Sequence, residues 1–124
     1  MLRIVRVKYT GIKPTDAISA YVEKKFLHLE KFVQDMREPR ECAIELGMTT
    51  KHHRKGDLFR AEANLRLPTG LIRAERTAVT LYAAIDELKD ELERTLTSLR
   101  DRARTRAMYG ARRAKEQHQI SPLE

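Results

Sequence analysis

Cysteine is nearly absent from this chain: Cys42 is the single one in 124 residues, and tryptophan does not occur. One thiol excludes an internal disulfide framework and suits a reducing cytoplasm. No apolar run reaches the ~20 residues of a membrane-spanning helix. Arg3 and Arg6 interrupt the N-terminal Leu2, Ile4, Val5 and Val7, so no uninterrupted apolar stretch of the signal-peptide kind is present. Glycine is scarce, with five residues, and none forms a phosphate-cradling loop or a Gly-x-Ser-x-Gly elbow. His52 and His53 are adjacent and lack the spaced ligand set of a closed metal site. They could imitate a base beside Asp57, but no nucleophile completes such a set. Catalysis, a metal and a cofactor therefore find no footing, and no small-molecule substrate is expected.

What is present is positive charge. The formal net charge is +7 and the pI about 9.8. Apolar residues make up 41% of the chain, enough for one domain with a real core. From Thr80 onward, Leu81, Ile85, Leu88, Leu92, Leu96 and Leu99 follow the spacing of a single buried helix face. The leucines then stop. Arg100, Arg102, Arg104, Arg106, Arg112, Arg113 and Lys115 follow against one acid, Asp101. Arginines two apart on a helix point to opposite sides, roughly 200° apart. This extension has no apolar face to bury, so it is either solvated or wrapped in a polyanion such as RNA.

Residues 2–9 read as a strand with Val5, Val7 and Tyr9 on one side and Arg6 and Lys8 on the other; Leu2 and Ile4 blur its register. Thr15 is a capping residue and Asp16 suits a helix N-terminus. Ile18, Val22, Phe26, Leu29 and Val33 mark a helix face to about residue 34, where the segment Arg37 to Arg40, with Pro39, ends it. Cys42, Ile44, Leu46 and Met48 alternate with polar or small residues as a strand. Phe59, Ala61, Ala63, Leu65 and Leu67 form the clearest strand. Pro68-Thr69-Gly70 is a hairpin turn into a strand bearing Ile72 and Ala74 on one side. The order β-α-β-β-β-α predicts an α+β fold, a four-stranded sheet with two helices packed on one face. The other face carries Arg60, Glu62, Asn64, Arg66, Arg73 and Glu75 and lacks the stacking aromatics of single-stranded-RNA platforms. RNA contacts are therefore expected on helices and loops.

Lys24, His28 and Lys31, with Lys25 beside them, form a basic stripe on the first helix, although Glu23 and Glu30 interleave as on an ordinary solvated face. The loop Lys51, His52, His53, Arg54 and Lys55 adds a possible phosphate contact. Helix two is mostly acidic at first: Asp86, Glu87, Asp90, Glu91 and Glu93 outnumber Lys89 and Arg94. Asp90 and Arg94 have the spacing of a surface ion pair.

Helix one as Tyr21-Val22-Glu23-Lys24-Lys25-Phe26-Leu27-His28-Leu29-Glu30-Lys31-Phe32 resembles the ribosome hibernation-promoting factors, a group that includes the ribosome-associated translation inhibitors. So do Gly56-Asp57-Leu58-Phe59-Arg60-Ala61-Glu62, Leu81-Tyr82-Ala83-Ala84-Ile85-Asp86 and Leu92-Glu93-Arg94-Thr95-Leu96, in that order. The likeness covers residues 1 to about 105. It implies a fold similar to double-stranded-RNA-binding domains. It implies occupation of the mRNA and tRNA channel in the decoding region of the small ribosomal subunit, under stress or in stationary phase. No enzymatic activity and no cofactor are implied. The expected contacts to ribosomal RNA are Lys24, Lys25, His28, Lys31, Lys51, Arg54, Lys55, Lys89, Arg94, Arg100, Arg102, Arg104 and Arg106. Glu91 and Ser98 stand where relatives often carry a base, which shifts weight to the arginines after residue 99. Residues 1–105 are expected to be a ribosome-binding domain and 106–124 a basic, flexible tail, too short for the C-terminal dimerisation domain of long relatives. The expected helix frays between about residues 103 and 110 in the free protein. The expected protein is cytoplasmic and a monomer off the ribosome, with no membrane partner. Two alternatives stand beside this reading: a double-stranded-RNA-binding module, or a protein-interaction regulator such as one that modulates a sigma factor, either acting outside the ribosome.

Overall fold

The computed structural model describes residues 2–49 and 59–120, with side chains through residue 112. The elements are β1 (Arg3–Thr10), α1 (Asp16–Leu27), a single 3-10 turn (Glu30–Phe32), β2 (Glu41–Met48), β3 (Phe59–Leu67), β4 (Gly70–Ala78) and α2 (Leu81–Ile120). The β-α-β-β-β-α order and the four-stranded sheet are as the sequence predicts. Strand order is β1-β2-β3-β4, with β1 parallel to β2 and the other pairs antiparallel. A parallel pair needs a crossover, and α1 supplies it.

The blurred register of β1 has a structural cause. Ile4 pairs with Cys42 but Arg6 pairs with Ala43, so Val5 is an extra residue in a bulge. The bulge lets Leu2 and Ile4 face the core before it, and Val7 and Tyr9 after it. Val5 is thrown outward, 48% exposed, which corrects its expected place beside Val7 and Tyr9. Glycine is required where β1 and β2 meet: a Cβ at Gly47 would stand 2.7 Å from the Thr10 carbonyl oxygen.

Helix α1 starts as expected, with the Thr15 hydroxyl accepting from the Ile18 N–H at 3.1 Å. It ends earlier than expected, at Leu27 rather than near residue 34. The chain tightens into the 3-10 turn, whose three residues per turn bring Leu29 and Phe32 to the same side. Leu29, Phe32 and Val33 are all buried there. The Leu2 N–H donates to Glu30 Oε1 at 3.1 Å and ties this turn to the start of β1.

Both helices lie on one sheet face. Leu81, Ala84, Ile85, Leu88, Leu92 and Leu96 of α2 meet a sheet surface of Ala61, Ala63, Leu65 and Ala78, while Val22 and Phe26 of α1 join Cys42, Ile44 and Leu46. The alanines leave room for α2 to lie close. Burial pushes the Cys42 thiol up to about 12, so it packs as an inert apolar group.

The outer sheet face is a charge lattice. Glu45, Glu62 and Glu75 stand side by side on β2, β3 and β4. Three adjacent carboxylates would repel one another. Arg60 lies among them, 2.7 Å from Glu75, 3.3 Å from Glu62 and 3.6 Å from Glu45. Arg73 adds a contact to Glu62 at 3.6 Å, and Arg3 and Arg66 hold Glu41 at 2.7 and 3.8 Å.

Phe26→Ala should lower stability by about 3–5 kcal/mol in urea unfolding, because the ring is fully buried. Stability equal to the parent would place the ring outside the core. Acid should also weaken the fold. The Thr10 hydroxyl, helped by Arg60 and Lys8 and opposed by partial burial, holds the Glu45 carboxyl below its ordinary value. A depressed carboxylate stabilises above its unfolded pKa of about 4.3, and that contribution is lost as pH falls through the folded value. Denaturation midpoints should therefore be level from pH 8 to about 5 and fall below about 4, and the fall should be smaller in Glu45→Gln. An equal acid slope in the variant would remove Glu45 from the account.

Candidate nucleic-acid interface

The cations expected on the helices separate into two groups. The first group is held by carboxylates. Lys25 Nζ lies 3.2 Å from Asp86 Oδ1, and the Tyr21 hydroxyl donates to the same oxygen at 2.7 Å. The Tyr82 ring meets Tyr21 edge-on, 4.7 Å between centroids. Asp86 raises both the Lys25 and the Tyr21 pKa. This cluster joins α1 to α2. Lys89 lies 3.0 Å from Glu93 and 3.7 Å from Asp90, its side chain only 15% exposed. The hydrogen bond from Lys89 holds the Glu93 carboxyl low, and Lys31 and His28 of the neighbouring segment add to that field. Arg94 pairs back to Glu91 at 2.9 Å rather than with Asp90, and Glu91 also takes Arg76.

The second group makes no ion pair among the described residues: Lys24, His28, Lys31, Arg100, Arg102, Arg104 and Arg106, of which Lys31 and His28 feel Glu93 only at longer range. Lys24 and His28 are exposed at the end of α1. Lys31 is not on α1 but in the 3-10 turn, so the expected stripe bends there. Lys31 Nζ sits 5.3 Å from the Phe32 ring centroid, and the Arg100 guanidinium sits 5.0 Å from the same ring. The ring quadrupole holds both cations without neutralising them. Arg100 thus does pack on the core edge, contrary to the expectation that the arginines have nothing to rest on.

Beyond Arg100 every residue through Arg112 is exposed. The backbone is helical past Gly110 to Ile120. Lys51, Arg54 and Lys55, with His52 and His53, lie outside the described residues. Among the described residues no helix is long and apolar enough to cross a membrane, and no group of three ligating side chains could hold a metal.

What sequence reading missed is the groove these cations border. It lies between the 3-10 turn, the β3–β4 hairpin at Thr69 and the α2 extension, with Met36 and Leu99 inside and a volume of about 610 Å³. Arg100 is the residue after the last leucine of the stripe, and that position at the core edge was the available signal.

A small mixed sheet covered on one face by two helices, with uncompensated cations at their ends, defines a basic α+β binding domain. The chain belongs to the Sigma 54 modulation protein / S30EA ribosomal protein family, whose profile matches residues 5–104. It is 29% identical over 101 residues to a ribosome hibernation promotion factor of Deinococcus radiodurans, covering 82% of this chain and 51% of that protein. It is 30% identical over 96 residues to one of Lactococcus lactis subsp. cremoris, covering 77% of this chain and 49% of that protein. The chain thus spans about half the length of these curated relatives. Its fold matches the N-terminal domain of Thermus thermophilus Protein Y, with a TM-score of 0.65, 34% identity, and coverage of 78% of this chain and 98% of that one. A ribosomal subunit interface protein from Coxiella burnetii matches with a TM-score of 0.60 at 19% identity, over 80% and 98% of the chains, a likeness of fold alone. The family is one of binding proteins, not enzymes.

The two groups of cations should behave differently. Replacing Lys24, Lys31 and Arg100 by Gln should weaken binding to a structured RNA and flatten its salt dependence, since each lost phosphate contact lowers the slope by about one. Replacing Lys25, Lys89 and Arg94 should cost stability and change the slope much less. Equal slopes for both triple variants in salt titrations would dissolve the distinction.

Proposed function

We propose that this chain binds the small ribosomal subunit through its ribosomal RNA and lies in the decoding region, across the mRNA and tRNA sites. It thereby inhibits translation in the cytoplasm under stress or in stationary phase, as a hibernation factor. The observation that carries this reading is the distribution of compensation. Sheet-face Arg3, Arg60, Arg66 and Arg73 are matched by glutamates. Lys24 at the end of α1 and Arg100, Arg102, Arg104 and Arg106 along the α2 extension make no ion pair among the described residues. Phosphate recognition needs cations whose charge is free to displace the polyanion's own counterions. Family membership and the names of the relatives point the same way. The protein acts as a monomer, with the helix ends rather than the sheet toward RNA.

Sucrose-gradient sedimentation with purified 30S subunits tests this reading. The chain should travel with the subunit at low salt and leave it steeply as salt rises. Increasing factor should displace bound tRNA and arrest a translation extract. A chain that stays at the top of the gradient would overturn the reading, as would one that binds 30S while tRNA binding and translation proceed undiminished. Tight binding to naked RNA duplex without ribosome binding would point to a module acting elsewhere.

A further inference from the structure

The groove beside Phe32 has a composition that a phosphate track does not need. Its rim carries Lys31, Arg100, Arg104 and Arg106, opposed by one acid, Asp35. Half-buried Met36 and Leu99 and the exposed Ala103 give its lining an apolar floor. Gln34 and Thr69 add groups that donate and accept hydrogen bonds. A regular A-form duplex presents phosphates and sugars at its surface and has no apolar part to place in such a cavity. A free counterion would use the rim alone. An unpaired nucleotide uses both: its phosphate meets the arginines and its base lies over the apolar floor. The volume of about 610 Å³ is in the range of small-ligand sites. Arg100 Nε is buried without a hydrogen-bond partner among the described residues, so its guanidinium is held by the Phe32 face and not by an acceptor. A phosphate in the groove meets this guanidinium as a counter-charge, while the buried Nε stays out of a ligand's reach. Arg104, exposed on the next turn of α2, can stack its planar guanidinium on a base.

We propose that this groove seats one unpaired nucleotide, with the phosphate on Arg100 and Arg104 and the base against Met36 and Leu99. The proposal rests on the ribosomal-RNA reading and sharpens it: the α2 end recognises an unstacked base in a single-stranded segment, whereas Lys24 and His28 follow backbone charge. The same chemistry would accept a free nucleotide, and the two sources are separable by length of ligand.

The test uses the full chain and three probes in fluorescence anisotropy or calorimetry: hexa-adenylate, an RNA duplex with an equal number of phosphates, and adenosine monophosphate. Hexa-adenylate should bind about tenfold more tightly than the duplex, the order of one base–side-chain stack. Met36→Gln should remove roughly three- to tenfold of the single-strand affinity and leave duplex affinity unchanged. Arg100→Gln should weaken both. Thermal melting of each variant separates a lost contact from a lost fold, and Met36→Leu, which keeps the apolar floor, should retain parental affinity. Adenosine monophosphate bound as tightly as the hexamer, and sensitive to Met36→Gln, would assign the groove to a free nucleotide. Duplex bound as tightly as single strand, or a Met36→Gln variant indistinguishable from the parent on all three probes, would overturn the proposal. Failure of 30S binding with hexamer binding intact would refute the ribosomal reading and leave the groove assignment standing.

Discussion

Everything in this domain depends on one packing event: the α2 stripe from Leu81 to Leu96 lying on the small residues of β3 and β4. Ala61, Ala63 and Ala78 are nearly inaccessible, as are Ala84, Ile85, Leu88 and Leu92 above them. Small side chains on the sheet let the helix come close, and burial of the leucines supplies the apolar area that a single-sided sheet needs. Because only one face is covered, the other must be satisfied in water. That is why its residues are charged, and why their charges are arranged. Arg60 reaching three glutamates is the consequence of placing Glu45, Glu62 and Glu75 in one row across three strands.

That arrangement decides where the excess positive charge can act. A salt bridge on an exposed sheet contributes little stability, but it removes a cation from the pool available to a polyanion. Lys25 and Lys89 illustrate the same effect on the helices. Both stand at positions that read as basic; Lys25 is spent on Asp86, which joins α1 to α2, and Lys89 on Glu93 one turn along α2. Among the described residues, Arg6, Lys13 and Arg37 also stand outside the ion pairs, but the densest run of such cations lies where α1 gives way to the 3-10 turn and α2 leaves the core. A chain with a net +7 spread evenly would attract RNA without orientation. Here the field is oriented.

The topology was legible because each element carries its own periodicity. Ala61 to Leu67 alternates strictly, and the leucines of α2 keep helical spacing over four turns. Thr15 marked a helix start that the structure retains. What failed was local geometry with no periodic signature. A bulge adds one residue and inverts the face of whatever precedes it, so Val5 was misplaced while Val7 and Tyr9 were not. The 3-10 turn buries Leu29, Phe32 and Val33, residues that would also fit a longer α-helix, so the sequence pattern does not distinguish the two. Among the site residues, positive charge was readable but its compensation was not. The ion pair to Asp86 spans 61 positions from Lys25, a separation that no helix rule reaches. By contrast, Lys89 and Glu93 are four apart, and that pair was open to sequence reading.

Arg100 stands at the boundary between the core stripe of α2 and its exposed extension. One turn earlier, Leu96 is sealed in the core; one turn later, Arg104 is exposed. Arg100 sits between, with its guanidinium against Phe32 and no ion-paired carboxylate among the described residues. Long cationic side chains can cover apolar surface while keeping their charge toward solvent. The position therefore does two things at once. It closes the edge of the hydrophobic core, and it sets the first arginine of the extension against the same ring as Lys31. The extension carries its charge on the same helix that organises the sheet. The stability of the core and the orientation of the field are thus properties of one helix, and a change in the packing of its first half would displace the charge presented by its second.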